Sequence, residues 1–117
     1  MPVETTRKYV NQLSPRDRLL VRFVNRRRPG SIAELIAFSI VYRSKIDKSW
    51  RTLRRYDNAH GPPHVHLYDW NGETSNTSLG TQKDSSRVFN QALEELKRNY
   101  EKVREWYNAS RRKYEQR

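Results

Sequence analysis

All three histidines of this chain fall within seven residues, in the stretch Arg54-Arg55-Tyr56-Asp57-Asn58-Ala59-His60-Gly61-Pro62-Pro63-His64-Val65-His66-Leu67-Tyr68-Asp69-Trp70. This is the side-chain inventory of a reaction centre. Imidazole exchanges protons near neutrality and serves as general base or general acid. Guanidinium and phenol groups hold a phosphate and stabilise the charge that develops on it. Metal-free cleavage of RNA needs a base for the 2′-hydroxyl proton, an acid for the leaving oxygen and a cation beside the phosphate. Two of His60, His64 and His66, with Arg54 or Arg55, supply all three. His64 and His66 are two apart on a predicted strand and share its face. One of them with His60 is therefore the expected working pair. Arg55 or Tyr56 would stabilise the phosphate, and Asp57 would orient an imidazole through its ring N–H.

Two other readings compete. His64 and His66 with Asp57 or His60 make a three-ligand metal set with an open position, although the spacing matches no finger or zincin motif. Alternatively the histidines only hydrogen-bond a tight loop. Elsewhere, Trp70 and Tyr68 offer stacking surfaces for a base, against the simpler role of hairpin packing. No Gly-rich phosphate loop is present, and the expected site uses no metal and no cofactor.

The charge balance agrees with a phosphate-bearing partner. The chain has 117 residues, one domain's worth, with 24 Lys+Arg against 13 Asp+Glu. The excess is +10 over residues 1–55, −2 over 56–83 and +3 over 84–117. Such a field favours nucleic acid, with Arg26, Arg27, Arg28, Arg51 and Arg54 as the expected contacts. Cysteine is absent, which excludes disulfides, thiolate metal sites and a Cys nucleophile. Only 34% of residues are apolar, so the core is thin and relies on aromatics. No apolar run approaches the ~18 residues of a membrane span. The opening Met-Pro-Val-Glu-Thr-Thr-Arg-Lys lacks the apolar centre of a signal peptide, and a cytoplasmic protein is expected.

The elements that must position these residues read as follows. Residues 1–13 are expected to be a flexible arm. Ser14-Pro15-Arg16-Asp17 reads as a helix start, with Ser14 as cap and Pro15 at the first helical position. Leu19, Leu20, Phe23 and Val24 fall on one helical face, a strand being the competing reading. Pro29-Gly30 ends the element either way. Residues 32–45 are apolar on both strand faces, which places them centrally in a sheet. Residues 49–57 and 64–70 read as further strands, Asp47-Lys48-Ser49 as a turn, and Asn71-Gly72 as a hairpin into a short strand near 74–79. From Ser85 to Tyr114 the period changes. Phe89, Leu93, Leu96, Tyr100, Val103, Tyr107, Ser110 and Tyr114 are spaced alternately four and three apart, the seam of an amphipathic helix roughly 45 Å long. A globular body of ~13 Å radius of gyration would leave its far end overhanging or folded back. The expected fold is α+β in one domain: a three- to four-stranded, mostly antiparallel sheet and N-terminal helix within residues 14–83, then a long C-terminal helix over 84–117.

The segment from Arg55 to His66 resembles the central motif of the TumE-like toxins of toxin–antitoxin modules and their bacterial and archaeal relatives. In that family Arg-Tyr-Asp-Asn is followed by a short spacer and paired histidines. The strand Ile40-Val41-Tyr42-Arg43 and the turn before Trp50 also fit, so the resemblance covers about residues 32–75. It marks Tyr56, Asp57, Asn58, His60, His64 and His66 as motif positions. It implies a small ribonuclease toxin held in check by a cognate antitoxin. Separately, the helical seam continues through Tyr107 and Tyr114, farther than a small body can cover, so the residues past about Val103 are expected to serve association with a protein partner or a second copy. The other expectation is a non-catalytic nucleic-acid-binding subunit of a ribonucleoprotein or defence complex.

Overall fold

Period-two alternation reaches further toward the N-terminus than a helix reading of residues 14–28 allows. The computed structural model, which describes residues 1–59 and 61–115, is a six-stranded antiparallel meander backed by one helix. The strands are β1 (Val3–Ser14), β2 (Asp17–Arg27), β3 (Glu34–Ile46), β4 (Ser49–Asp57), β5 (His64–Asp69) and β6 (Gly72–Ser78). They lie side by side in chain order. A short 3-10 turn, Gln82–Asp84, leads into α1 (Ser85–Glu115), which packs across β3, β4 and β5.

There is thus no N-terminal helix, and the sheet has six strands rather than three or four. The expected cap, Ser14-Pro15-Arg16-Asp17, is instead the β1–β2 hairpin, with Ser14 paired to Asp17. The Ser14 hydroxyl accepts the Arg16 N–H at 3.1 Å and donates to Asp17 Oδ2 at 2.6 Å. Ser first and Pro second suit a tight turn as well as a helix start, so the tetrapeptide alone does not discriminate. What decides is the next stretch: Leu19, Val21 and Phe23 point to the core while Arg18 and Arg22 point away, a period of two. The expected arm, residues 1–13, is mostly β1. Its side chains are nearly all exposed. Its backbone pairs with β2 from Val3 to Ser14, a ladder that leaves no apolar pattern in the sequence.

β3 lies in the middle of the meander, and its inward row Phe38, Ile40, Tyr42 is essentially closed to solvent. The Ile46–Ser49 pair leaves Asp47 and Lys48 as a two-residue loop. Both have positive φ, 52° and 69°, the conformation that matches the twist of a hairpin. From α1, Val88, Ala92, Leu96, Val103 and Tyr107 fill the groove, and Phe89 meets Phe23 and Phe38 edge-on at 5.5 and 5.4 Å.

The helix does not overhang. Tyr107 is buried and sets its ring edge-on to Trp70 at 6.0 Å. Ser110 Oγ accepts the Trp70 N–H at 3.1 Å, and Arg111 pairs with Asp47. The body is longer than a globule of this size, with a radius of gyration of 15.9 Å and a long axis of 59 Å. A 13-residue strand such as β3 spans about 43 Å, comparable to the helix. A truncation after Trp106 is accordingly expected to lower the melting temperature sharply, because it removes the Tyr107 side chain from the core. A truncated chain that melts as the full one does would refute this placement.

One buried cluster ties the β1–β2 turn to the helix. The Asp17 side chain is fully closed to solvent. Tyr42 and Ser44 donate to its Oδ1 at 2.6 and 2.8 Å, and Arg104 pairs with Oδ2. Burial opposes its ionisation, but the hydrogen bonds from Ser14, Tyr42 and Ser44 and the Arg104 charge outweigh it. They hold the carboxyl below its usual range. Burial and the Asp17 carboxylate push the Tyr42 phenol far above its ordinary value.

Candidate active site

The helix covers one face of the sheet; the histidines lie on the other. Residues alternate between faces along a strand, which splits the arginine-rich β4. Tyr56 turns toward α1, where it lines a hollow with Val88, Ala92 and Glu95. Arg54 turns the same way, 3.5 Å from the Tyr56 hydroxyl and 3.9 Å from Glu95. Arg51 stacks on Trp70 at 4.0 Å, with Arg111 on the same indole at 4.3 Å. Arg55 and Asp57 take the opposite face. The β4–β5 ladder pairs Arg55 with His66 and Asp57 with His64, so four candidate residues from two strands become neighbours.

They line a cleft of about 400 Å³ with Ala59 and Asn76. His66 sits at its base, 8% exposed. Its Nδ1 lies 2.5 Å from Glu73 Oε1. Its Nε2 lies 3.4 Å from Arg55 Nη2 and 3.5 Å from Asp57 Oδ2. Arg55 Nε is 3.0 Å from that same Asp57 oxygen. The neutral ring that fits these contacts donates from Nδ1 to Glu73 and leaves Nε2 to accept. The His64 ring is more exposed, its centroid 6.5 Å from that of His66. Tyr68 continues the row along β5. Burial and the Glu73 and Asp57 carboxylates raise its phenol above its ordinary value, against the lowering influence of Arg55.

The arrangement is a carboxylate–imidazole pair, a second imidazole and a guanidinium around one cleft. It can remove a proton at one atom, deliver one at another and offset negative charge between them. Of the expected catalytic residues, Arg55, Asp57, His64 and His66 converge. Tyr56 does not, and His60 lies outside the described residues. Of the expected nucleic-acid contacts, Arg51 and Arg54 are on the helix side. Arg26 pairs with Glu4 near the end of the β1–β2 ribbon. It stands four residues, or ~13 Å, beyond Arg22, which shares its cross-strand row with Asp57 and His64 through Ser39. Arg27 and Arg28 lie further out still. No group of three metal-ligating side chains occurs among the described residues; the carboxylates of Glu73 and Asp57 approach different ring nitrogens of His66 rather than converging on one point.

Glu73 and Asn76 were missed by sequence reasoning. They stand in a Ser/Thr-rich stretch with no pattern, but the Asn71-Gly72 turn folds β6 back along β5. Glu73 pairs with Tyr68 and Asn76 with His66, which places both on the histidine face, Glu73 diagonal to His66.

Asn58, a motif position, serves the fold. It is buried; its Oδ1 accepts the Phe38 N–H at 2.8 Å, and its Nδ2 donates to Ile36 O and Ser85 Oγ, each at 3.2 Å. Asn58→Ala is expected to cost about 1–3 kcal/mol by stranding a buried donor. A lower urea midpoint at unchanged m-value would show it, and an unchanged midpoint would not fit.

Fold and site together define a class: an antiparallel meander backed by one helix, with a His–carboxylate–Arg cleft on its uncovered face. Residues 3–113 match a family described as a domain of unknown function (DUF7718), and the chain belongs to that family. No curated protein and no solved structure matches it. Among the described residues no helix is long and apolar enough to cross a membrane.

Proposed function

We propose that this protein is an RNA-directed ribonuclease that works by histidine acid–base chemistry. The observation that carries the reading is the orientation of His66: Glu73 holds Nδ1 at 2.5 Å, and Nε2 is turned toward Arg55 in the cleft. A carboxylate on one ring nitrogen fixes the tautomer and stabilises the imidazolium once the other nitrogen has taken a proton, the logic of hydrolase triads. In the reaction His66 Nε2 takes the 2′-hydroxyl proton and the 2′-oxygen attacks phosphorus. His64 protonates the departing 5′-oxygen as the P–O5′ bond breaks. Arg55, held by Asp57, offsets the charge on the phosphoryl oxygens. The products are a 2′,3′-cyclic phosphate and a 5′-hydroxyl. The resemblance of residues 32–75 to TumE-like toxins supports the same reading, with a partner protein keeping the enzyme silent and the cytoplasm as its place of action.

The test is incubation of the purified chain with mixed RNAs, with and without a chelator. Cyclic-phosphate ends that form regardless of the chelator are expected. Activity lost to the chelator and restored by zinc or manganese would assign the chemistry to a metal. The second reading, a non-catalytic nucleic-acid-binding subunit, draws on the burial of His66 and the carboxylate near each of its nitrogens, which also suit a cross-link between β4 and β6. It predicts RNA binding with no cleavage at all.

A further inference from the structure

Among the described residues no helix or further strand packs over the sheet face that carries the histidines, and its surface is patterned. One cross-strand row runs Val10, Leu20, Val41, Arg55, His66 from β1 to β5; the adjacent row runs Lys8, Arg22, Ser39, Asp57, His64. Beside the cleft, on β1 to β3, lies a second hollow of about 440 Å³. Val10, Leu20 and Val41 line it, with Lys8, Arg22 and Ser39. Lys8 and Arg22 are exposed and have no ion-pair partner among the described residues. By contrast Arg54, Arg55, Arg104 and Arg111 are all engaged with carboxylates.

We infer that this second hollow is a binding subsite for single-stranded RNA, which crosses the strands from the histidine cleft toward β1. The apolar floor takes the face of an unstacked base. Arg22 and Lys8 take the phosphates on that side of the scissile bond. Neighbouring strands lie ~4.8 Å apart, so Arg22 stands about 10 Å and Lys8 about 14 Å from the Arg55 column, within reach of a short oligonucleotide. A duplex keeps its base faces stacked and offers the floor nothing. The inference rests on the ribonuclease reading for the position of the scissile phosphate, but binding on the hollow is measured separately from cleavage.

The probe is a 2′-O-methyl oligonucleotide of about eight residues, within the ~4–16 that one small β fold covers. Lacking a free 2′-hydroxyl it cannot be cut. Each phosphate contact on a single strand adds about 0.7 to the log–log salt slope of binding. Lys8→Gln with Arg22→Gln should therefore flatten the slope by about 1.4. Lys97→Gln with Lys102→Gln, the same charge change on the exposed side of α1, should leave it nearly as it was. Val10→Ser should weaken binding severalfold at unchanged slope. The inference is overturned if the two double variants flatten the slope equally, if neither does, or if a duplex of the same length binds as well as the single strand. If the wild-type chain leaves unmodified RNA intact while the slope difference stands, the subsite holds and the ribonuclease fails. If RNA is cut but the slope does not respond to Lys8 and Arg22, the ribonuclease holds and the subsite fails.

Discussion

If the proposed RNA cleavage holds, replacing His66 with alanine is expected to lower its rate by about 10²–10⁴, the usual contribution of one positioned proton-transfer group. His64→Ala is expected to fall in the same range, and the double variant little below either single one, because groups that act as a unit are not additive. The wild-type rate is expected to pass through a maximum with pH, since base and acid must hold opposite protonation states at the same moment. Glu73→Gln keeps the shape of the partner but removes its charge. It should lower the turnover rate while leaving affinity for the uncleavable oligonucleotide unchanged. Single-turnover cleavage and equilibrium binding, measured side by side, separate these effects. A His66→Ala chain that cuts at the wild-type rate would remove the acid–base assignment. A His66→Ala chain that loses binding and folding together would make the ring a structural cross-link instead.

The largest expected loss of stability comes from Asp17, far from the cleft. Asp17→Ala leaves Arg104 partly buried without its carboxylate, Ser44 without its acceptor and Tyr42 with only the Tyr100 carbonyl, 3.2 Å away. Breaking a buried pair from one side costs about 3–5 kcal/mol, or a fall of roughly 10–20 °C or more in melting temperature for a domain of this size. The pH dependence has a definite sign. The folded-state pKa of Asp17 lies below its unfolded value, near 3.9. Its contribution is therefore fully present above about pH 4 and is lost as pH falls through the folded value. Urea unfolding between neutral and acid pH should show the wild-type advantage over Asp17→Asn shrinking on the acid side. An advantage that stays constant across that range would mean that the carboxylate charge does not contribute.

The sequence was most readable where side chains do the work. β3, β4, β5 and α1 are visible in their periods because each buries a stripe of apolar residues. The convergence of His64, His66, Arg55 and Asp57 follows from alternation along two paired strands. β1 was not readable, because an edge strand held mainly by its backbone ladder needs no apolar pattern. β2 satisfies both periods, because five of the six residues 19–24 are apolar, until Arg18 and Arg22 are seen as the outward-facing positions. Arg51 and Arg54 show a further limit. Their charge suggested a ligand, but the register shift between Tyr42 and Arg43 in the β3–β4 pairing accompanies their turn to the helix side. Glu73 was invisible for a different reason: its significance lies entirely in being folded back against a residue seven positions earlier.

The meander also orders events during synthesis. Each strand pairs with the one made just before it, and hairpins form in about 1–10 μs. The sheet can zip as it leaves the ribosome. The helix that covers its apolar face follows all six strands in the chain. At ~5–20 residues per second, its 31 residues take roughly 2–6 s to appear. For those seconds Ile40, Tyr42 and Leu53 face water on a formed surface, and Asp17 waits for a guanidinium 87 residues away. A nascent chain that zips in this order passes through an open, sticky half-structure, and that interval is when a chaperone gains most by being present.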